Sequence, residues 1–295
     1  MTAPMQPEHG PDFEVGGEVR RIVILTVRFH PCACYLARRL RDSGAEITLI
    51  SQRTLRVEQD SWAYYRRLAR NRGWACALDN FLLFLVKEFA ALPRRLRGGS
   101  PDEAVETVAV LRNDAGIANE DWITCLEVDN INKPPDLDRL RELRPDLILL
   151  AGAPILSKRA IAIARVACVN PHCGISPEYA GSSPVVWPLC DGRFEDIGFT
   201  VHVVVPKVDS GPVLWQERID WDPRMSIGRV TGVVTQRMYD KLAEIATELI
   251  RGKRLPAAPQ SDRPTRPPAG LVSRLRAEWG RRTYAARRRS GSHLV

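Results

Sequence analysis

Asn170 and His172 stand one residue apart in VNPHCGISPEYAG (169–181), and Asp209 opens an Asp-Ser-Gly triplet 39 residues beyond the asparagine. An amide N–H can steady a developing oxyanion. An imidazole moves a proton near neutral pH, and a carboxylate orients it or balances its charge. Together they suit acyl transfer. No Ser or Cys sits in a strained elbow, so direct transfer fits better than a covalent intermediate. Taken singly, each residue has a more ordinary reading as a turn former, a satisfied histidine or a loop. Only their convergence makes a site.

Convergence requires elements that deliver them. RRIVILTV (20–27) reads as a buried strand, His30-Pro31 opens a helix that Gly44 stops, and EITLIS (46–51) is the next strand. This βαβ opening predicts a parallel sheet. The run Leu147 to Leu150 is apolar at every position, as a central strand covered on both faces must be. Ser157 caps a helix over 157–165, and VACVN (166–170) is a further buried strand. GFTVHVVV (198–205) and VLWQERID (213–220) alternate as strands, and 226–252 is a long amphipathic helix. ETVAV (106–110) and WITCLEV (122–128) are also read as strands, with a short helix in PDLDRLRELR. The expected fold is α/β, Rossmann-like and doubly wound, with a mostly parallel sheet and flanking helices. Ligands bind such sheets at the carboxyl ends of the strands. Three such ends carry Ala151-Gly152-Ala153-Pro154, then Asn170 and His172, then Asp209.

Residues 60–97 show no strand signal and read as a helical insertion of two helices broken near Gly73, with an aromatic stripe as packing face. Its position suggests a cover for the active-site side of the sheet or a wall of the acceptor pocket. The expected organisation is a disordered N-terminus (1–18), a catalytic domain (19–252), and a Pro-rich linker with a disordered basic tail (253–295). Within that tail, 271–289 is expected to be helical only against a partner.

The net charge of +8 is unevenly placed: residues 251–295 hold twelve basic and two acidic side chains, so the body is nearly neutral. Nucleic acid is therefore expected only through the tail 253–295. Seven scattered cysteines without a CxxC read as reduced, which suits a cytoplasmic protein, and no metal site is expected. The polar, acidic N-terminus does not read as a signal peptide. The longest strongly apolar stretch, Phe81 to Val86, is far too short for a membrane span. A sheet edge or exposed helix leaves room for a homodimer.

NPHCGISPEYAG followed by GFTVHVVVPKVDSGPVL resembles the folate-dependent formyltransferases, which act on glycinamide ribonucleotide, methionyl-tRNA or sugars. LRPDLILLAGAPIL resembles the strand and folate loop that precede that motif, so the resemblance spans roughly residues 120–220. It implies transfer of a formyl group from 10-formyltetrahydrofolate to a primary amine through a tetrahedral intermediate. By position, Asn170 would bond the formyl oxygen, His172 would stabilise that intermediate and shuttle its proton, and Asp209 would set protonation. The pterin would lie against Ala151, Gly152, Ala153, Pro154, Ile155 and Leu156 and against the loop Val205, Pro206, Lys207, Val208 and Asp209. Gly181 would stand where the loop backbone nears the ligand. The chain departs from the pattern at Gly174, where a Ser is usual, and at Ala180, where an Arg is usual. Pro188 should shorten the following helix. Thr26-Val27-Arg28-Phe29-His30 lacks a glycine-rich phosphate loop, which argues against glycinamide ribonucleotide. A preceding regulatory domain and a β-barrel after 252 are not seen, which argues against a formyl-folate hydrolase and the methionyl-tRNA enzyme. The leading expectation is a small-molecule acceptor, a sugar nucleotide or specialised metabolite. The alternatives are a tRNA-linked amine, suggested by the basic tail, and a non-catalytic folate- or RNA-binding relative.

Overall fold

The structure, a computed structural model, describes residues 13–28, 30–53, 62–96, 117 and 120–289. The apolar runs form its central sheet. Strand β1 is Phe13–Val15 and β2 is Arg21–Val27, followed by helix α1, Pro31–Leu40. Then come β3 (Glu46–Gln52), α2 (Trp62–Arg72), α3 (Trp74–Leu96) and β4 (Thr124–Val128). Helix α4 (Asp136–Glu142), β5 (Leu147–Leu150), α5 (Lys158–Ile161), β6 (Ala167–His172) and α6 (Val186–Asp191) follow. The chain continues with β7 (Gly198–Val203), β8 (Val213–Arg218), α7 (Ile227–Ile250), β9 (Leu255–Ala257) and α8 (Leu271–Arg289).

Seven strands make one sheet in the order β4-β3-β2-β5-β6-β7-β8. The first five run parallel, and β7 and β8 continue antiparallel. Between β2 and β5 the winding reverses, the switch point at which doubly wound sheets open a ligand crevice. All four residues of β5 are buried, as expected of a strand with helices on both faces. Asp146 sets the entry to this centre, accepting from the N–H groups of Arg20 (2.8 Å) and Arg21 (2.9 Å) and from Arg165 Nε (2.7 Å). Burial pushes its pKa up, but these donors outweigh burial and hold it below the usual value.

Several elements differ in extent from expectation. The helix from 157 covers only Lys158–Ile161, capped as expected by Ser157 Oγ, which accepts from Ala160 N–H. The insertion folds as two helices parted at Gly73 (φ 87°), whose inner faces meet through Tyr65, Phe81 and Phe84. The proposed strand 106–110 lies outside the described residues.

The largest differences are at the ends. Residues 13–15, expected to be disordered, pair with β9, and Val15 and Val19 are buried. Residues 253–289, expected to be linker and disordered tail, form a strap and then α8. Beyond β9 the strap forms no helix or strand, because prolines remove its donors, yet its backbone groups bond to the body. Helix α8 does form against a partner, and that partner is the chain itself. Tyr284 stacks on Phe194 at 4.2 Å between ring centres, and the buried Arg281 donates to the Pro223 carbonyl at 2.5 Å. Gly280 lets the helix close on Leu189, since a Cβ there would sit 2.7 Å from the Leu189 carbonyl oxygen.

Candidate active site

Strand pairing places Asn170 directly opposite His202 on the antiparallel β6–β7 ladder. Opposite residues share a face, and Asn170 Nδ2 lies 3.1 Å from His202 Nε2. His202 Nδ1 lies 3.0 Å from the Val203 carbonyl, an acceptor only, so Nδ1 carries the proton and Nε2 accepts from Asn170. The amide is thereby held with its N–H groups toward the site. His202 was not among the residues singled out from sequence. The signal was present in the alternation of GFTVHV, but the antiparallel register that sets it against Asn170 is not local.

The loop after β7 swings back over this pair. Gly211 allows the return, since a Cβ there would lie 1.8 Å from the Val203 carbonyl oxygen. Asp209, in the left-handed region at φ 49°, turns its carboxylate inward. Its Oδ2 lies 3.4 Å from His172 Nδ1, and its Oδ1 lies 3.5 Å from both His202 Nε2 and Asn170 Nδ2. The short bond to Asp209 comes from the Gly181 N–H, at 2.9 Å to Oδ2. The structure thus brings Asn170, His172, Asp209 and Gly181 together and adds His202.

The 174–182 turn positions His172. The imidazole Nε2 donates to the Tyr179 carbonyl at 2.9 Å, which leaves Nδ1 facing Asp209. Thr200 Oγ1 donates to the Gly174 carbonyl (2.7 Å) and accepts from the Ser176 N–H (3.0 Å), holding the turn from beneath. Gly174, where the resembled family usually has Ser, has a local cause. A Cβ there would lie 2.7 Å from the Tyr179 carbonyl oxygen and 2.9 Å from His172 Nε2. The strap closes the outer side: Arg266 N–H donates to the Ala180 carbonyl (2.7 Å), and Ser182 N–H donates to the Arg266 carbonyl (3.1 Å). The Arg266 guanidinium pairs with Asp191 at 2.6 Å and lies over the rings of Tyr179 and Trp187. An arginine from the strap therefore stands beside the turn in which Ala180 replaces the usual arginine.

A cavity of about 170 Å³ opens beside Asn170, His202 and Asp209, walled on one side by Ala153, Pro154, Ile155 and Leu156 and on the other by Val205, Pro206, Lys207 and Val208. Ile155 and Val208 are exposed apolar lips at its mouth. Two expected folate contacts lie elsewhere: Ala151 is fully buried, and Gly152 turns (φ 68°) against the ring of His30. Glycine is required by that turn. His172 lies behind the cavity wall rather than on it. His30, a second imidazole at the β2 edge, also went unmarked in the sequence; burial lowers its pKa. Among the described residues, no group of His, Cys, Asp and Glu is arranged to hold a metal ion.

Burial pushes the His172 pKa below its ordinary value and outweighs the attraction of Asp209. Burial pushes Asp209 up, but His202, His172 and the Gly181 N–H outweigh it, and the carboxyl stays below the usual range. At neutral pH the site therefore holds a neutral imidazole whose Nδ1 lone pair faces a carboxylate. Protonating Nδ1 would turn an unfavourable contact into an ion pair, so this histidine is poised as a base. The Asn170 amide places a hydrogen-bond donor on the cavity wall.

Residues 108–245 match the family model described as formyl transferase. Among curated relatives, the methionyl-tRNA formyltransferase of Syntrophomonas wolfei is 27% identical over 147 residues, half of this chain and 46% of that protein. The methionyl-tRNA formyltransferase of Thermotoga maritima is 29% identical over 137 residues, 46% of this chain and 44% of that protein. The chain thus spans less than half the length of these relatives. A sugar N-formyltransferase from a Shewanella species superposes with a TM-score of 0.51 at 12% identity, covering 89% of this chain and 87% of that one, which supports the shared fold. Residues 108–245, the stretch that carries Asn170, His172 and Asp209, are thus similar in sequence to the formyl transferases.

Proposed function

We propose that this protein transfers a formyl group from 10-formyltetrahydrofolate to a primary amine. The observation that carries the reading is the convergence of Asn170, His202 and Asp209 on the wall of an apolar-lipped cavity. The residues present fit such a donor: a flat ring system suits the slot between 153–156 and 205–208, and the reacting carbon belongs at its polar end. The donor supplies a formyl carbon bound to nitrogen. Asn170 Nδ2 donates to the formyl oxygen as negative charge gathers there. The proton released by the attacking amine passes through the Asp209 carboxylate on the cavity wall to His172 Nδ1 behind it, and that carboxylate stabilises the resulting imidazolium. His172 then returns the proton toward the departing nitrogen. His202 keeps the amide of Asn170 aimed.

For the acceptor, an amine carried by an aminoacylated tRNA is the better supported reading, because the sequence relatives are named for methionyl-tRNA. A small-molecule amine ranks second. The matched relatives are covered over less than half their length, which leaves the acceptor side of the site open to another amine. The test is incubation of purified chain with 10-formyltetrahydrofolate and a panel of aminoacyl-tRNAs and nucleotide-linked amino sugars, read by mass spectrometry for a formyl adduct. Absence of any adduct, with no binding of a folate analogue, would sink the proposal.

A further inference from the structure

Helix α3 has two apolar faces. One packs on α2 through Phe81 and Phe84 against Tyr65. The other carries Trp74, Leu78, Leu82, Val86 and Phe89, spaced three or four apart and all exposed. That spacing draws a single ridge along the helix, about 22 Å long at 1.5 Å per residue. Helix α8 starts against α3, where its Val272 N–H donates to Asp79 Oδ1 at 2.7 Å, and it carries a second exposed ridge, Val272, Leu275 and Trp279. With Trp62 on α2, these helices hold nine of the thirteen exposed large hydrophobic residues among those described. Scattered exposed apolar side chains need no explanation, but a concentration on adjoining helices marks an interaction surface.

The polar residues among them define the partner. Segments 62–90 and 271–288 contain eleven Lys and Arg and three Asp and Glu. Asp79 is occupied by the start of α8, and Glu278 is paired with Arg281 and Arg282. Arg66, Arg67, Arg70, Lys87 and Arg276 are exposed beside the ridges. A second copy of this chain would bring like charge against like charge. Nucleic acid would pair with the arginines and stack on tryptophans, but it has no use for protruding Leu78, Leu82, Val86, Val272 and Leu275. An anionic bilayer uses both: aliphatic side chains enter the acyl boundary, tryptophans sit at headgroup level, and arginines meet the lipid phosphates.

We propose that the outer face of α2, α3 and α8 is a docking surface for anionic membrane, holding the protein at the lipid surface without crossing it. No described helix is long and apolar enough to span a bilayer, so attachment would be peripheral and salt-sensitive. This inference is independent of the formyl-transfer reading, since none of its residues belongs to the cavity or its imidazoles.

The test is co-sedimentation of the full chain with vesicles of phosphatidylcholine alone and of phosphatidylcholine with phosphatidylglycerol. Expected is binding to the anionic vesicles only, weakened by salt. The double variant Leu275→Ser/Trp279→Ser and the single variant Phe89→Ser should each lower the bound-to-free ratio tenfold or more at unchanged Tm. Arg66→Glu/Arg70→Glu should do the same by charge alone. Equal binding of the variants, or no binding of the wild-type chain to anionic vesicles, would overturn the proposal. So would a concentration-dependent dimer, RNA binding without lipid binding, or a Tm loss in the variants without lipid binding. These outcomes would assign the face to a second copy, to nucleic acid or to the chain's own packing.

Discussion

Two arrays of charge lie on opposite sides of the 174–182 turn, and they are built differently. On the inside, Asp209 faces His172, His202 and Asn170 at 3.4–3.5 Å, and its short bond is to a backbone N–H. On the outside, Arg266 is held by a 2.6 Å ion pair, two backbone bonds of 2.7 and 3.1 Å, and two aromatic rings. The inner side-chain contacts of Asp209 are long and leave hydrogen-bonding capacity unused. The outer ones are complete, as in a clamp. A group whose partners are saturated positions its neighbours, and a group with capacity left over can act on a ligand.

This contrast can be broken from either side. The largest effects belong to the inner array. His172→Ala and Asp209→Asn should each lower kcat a hundredfold or more, on the order of 3 kcal/mol of transition-state stabilisation; wild-type turnover in either would remove it from the mechanism. Gly174→Ser restores the residue usual in the resembled family, yet its Cβ would press on the Tyr179 carbonyl and on His172 Nε2. It should cost about tenfold in kcat/KM and lower the unfolding free energy by roughly 1–3 kcal/mol, and unchanged kinetics would show that the turn yields freely. Arg266→Ala attacks the clamp. Its pair with Asp191 is partly exposed, so screening keeps the stability loss near ~1 kcal/mol. The expected kinetic change is a few-fold fall in kcat with KM nearly constant, and Arg266→Lys should restore only part of it because the planar stack is lost.

The mildest probe is pH. Because burial holds the His172 pKa below its ordinary value of 6.5, the imidazole stays neutral until the pH falls below that value. The acid limb of kcat/KM should therefore have its midpoint below 6.5, and a midpoint above it would contradict a buried neutral base. Stability follows the same sign. The unfolded chain binds the proton more readily, so stability is constant above about 6.5 and declines as the pH falls below it.

Much of the inner array was legible because its signals are short. Asn170 and His172 end one buried strand, and Asp209 sits in an Asp-Ser-Gly loop behind another. His202 was not, although it lies within a quoted motif, because alternation gives a face but not the neighbouring strand. The outer array was misread for a plainer reason. Prolines and arginines in 253–289 look like solvated tail, and nothing local in PTRPP says that Arg266 will bond Ala180. Helix α8 likewise needed a surface to complete it, and Leu189, Phe194 and Trp221 supply it from distant sequence.

The sequence by itself determined the parallel core, since β-branched and leucine runs such as Leu147–Leu150 can only be buried. It also determined the identity and order of the groups at the strand ends. Tertiary structure alone decided which groups meet. Pairing of β6 with β7 brings Asn170 to His202 across 32 residues, and the strap reaches the turn across 86. It alone decided, too, that one face of α3 would be covered by α2 while the other stayed open. Periodicity records that a face is apolar. What covers it depends on contacts between segments far apart in the chain, and those follow from packing the whole.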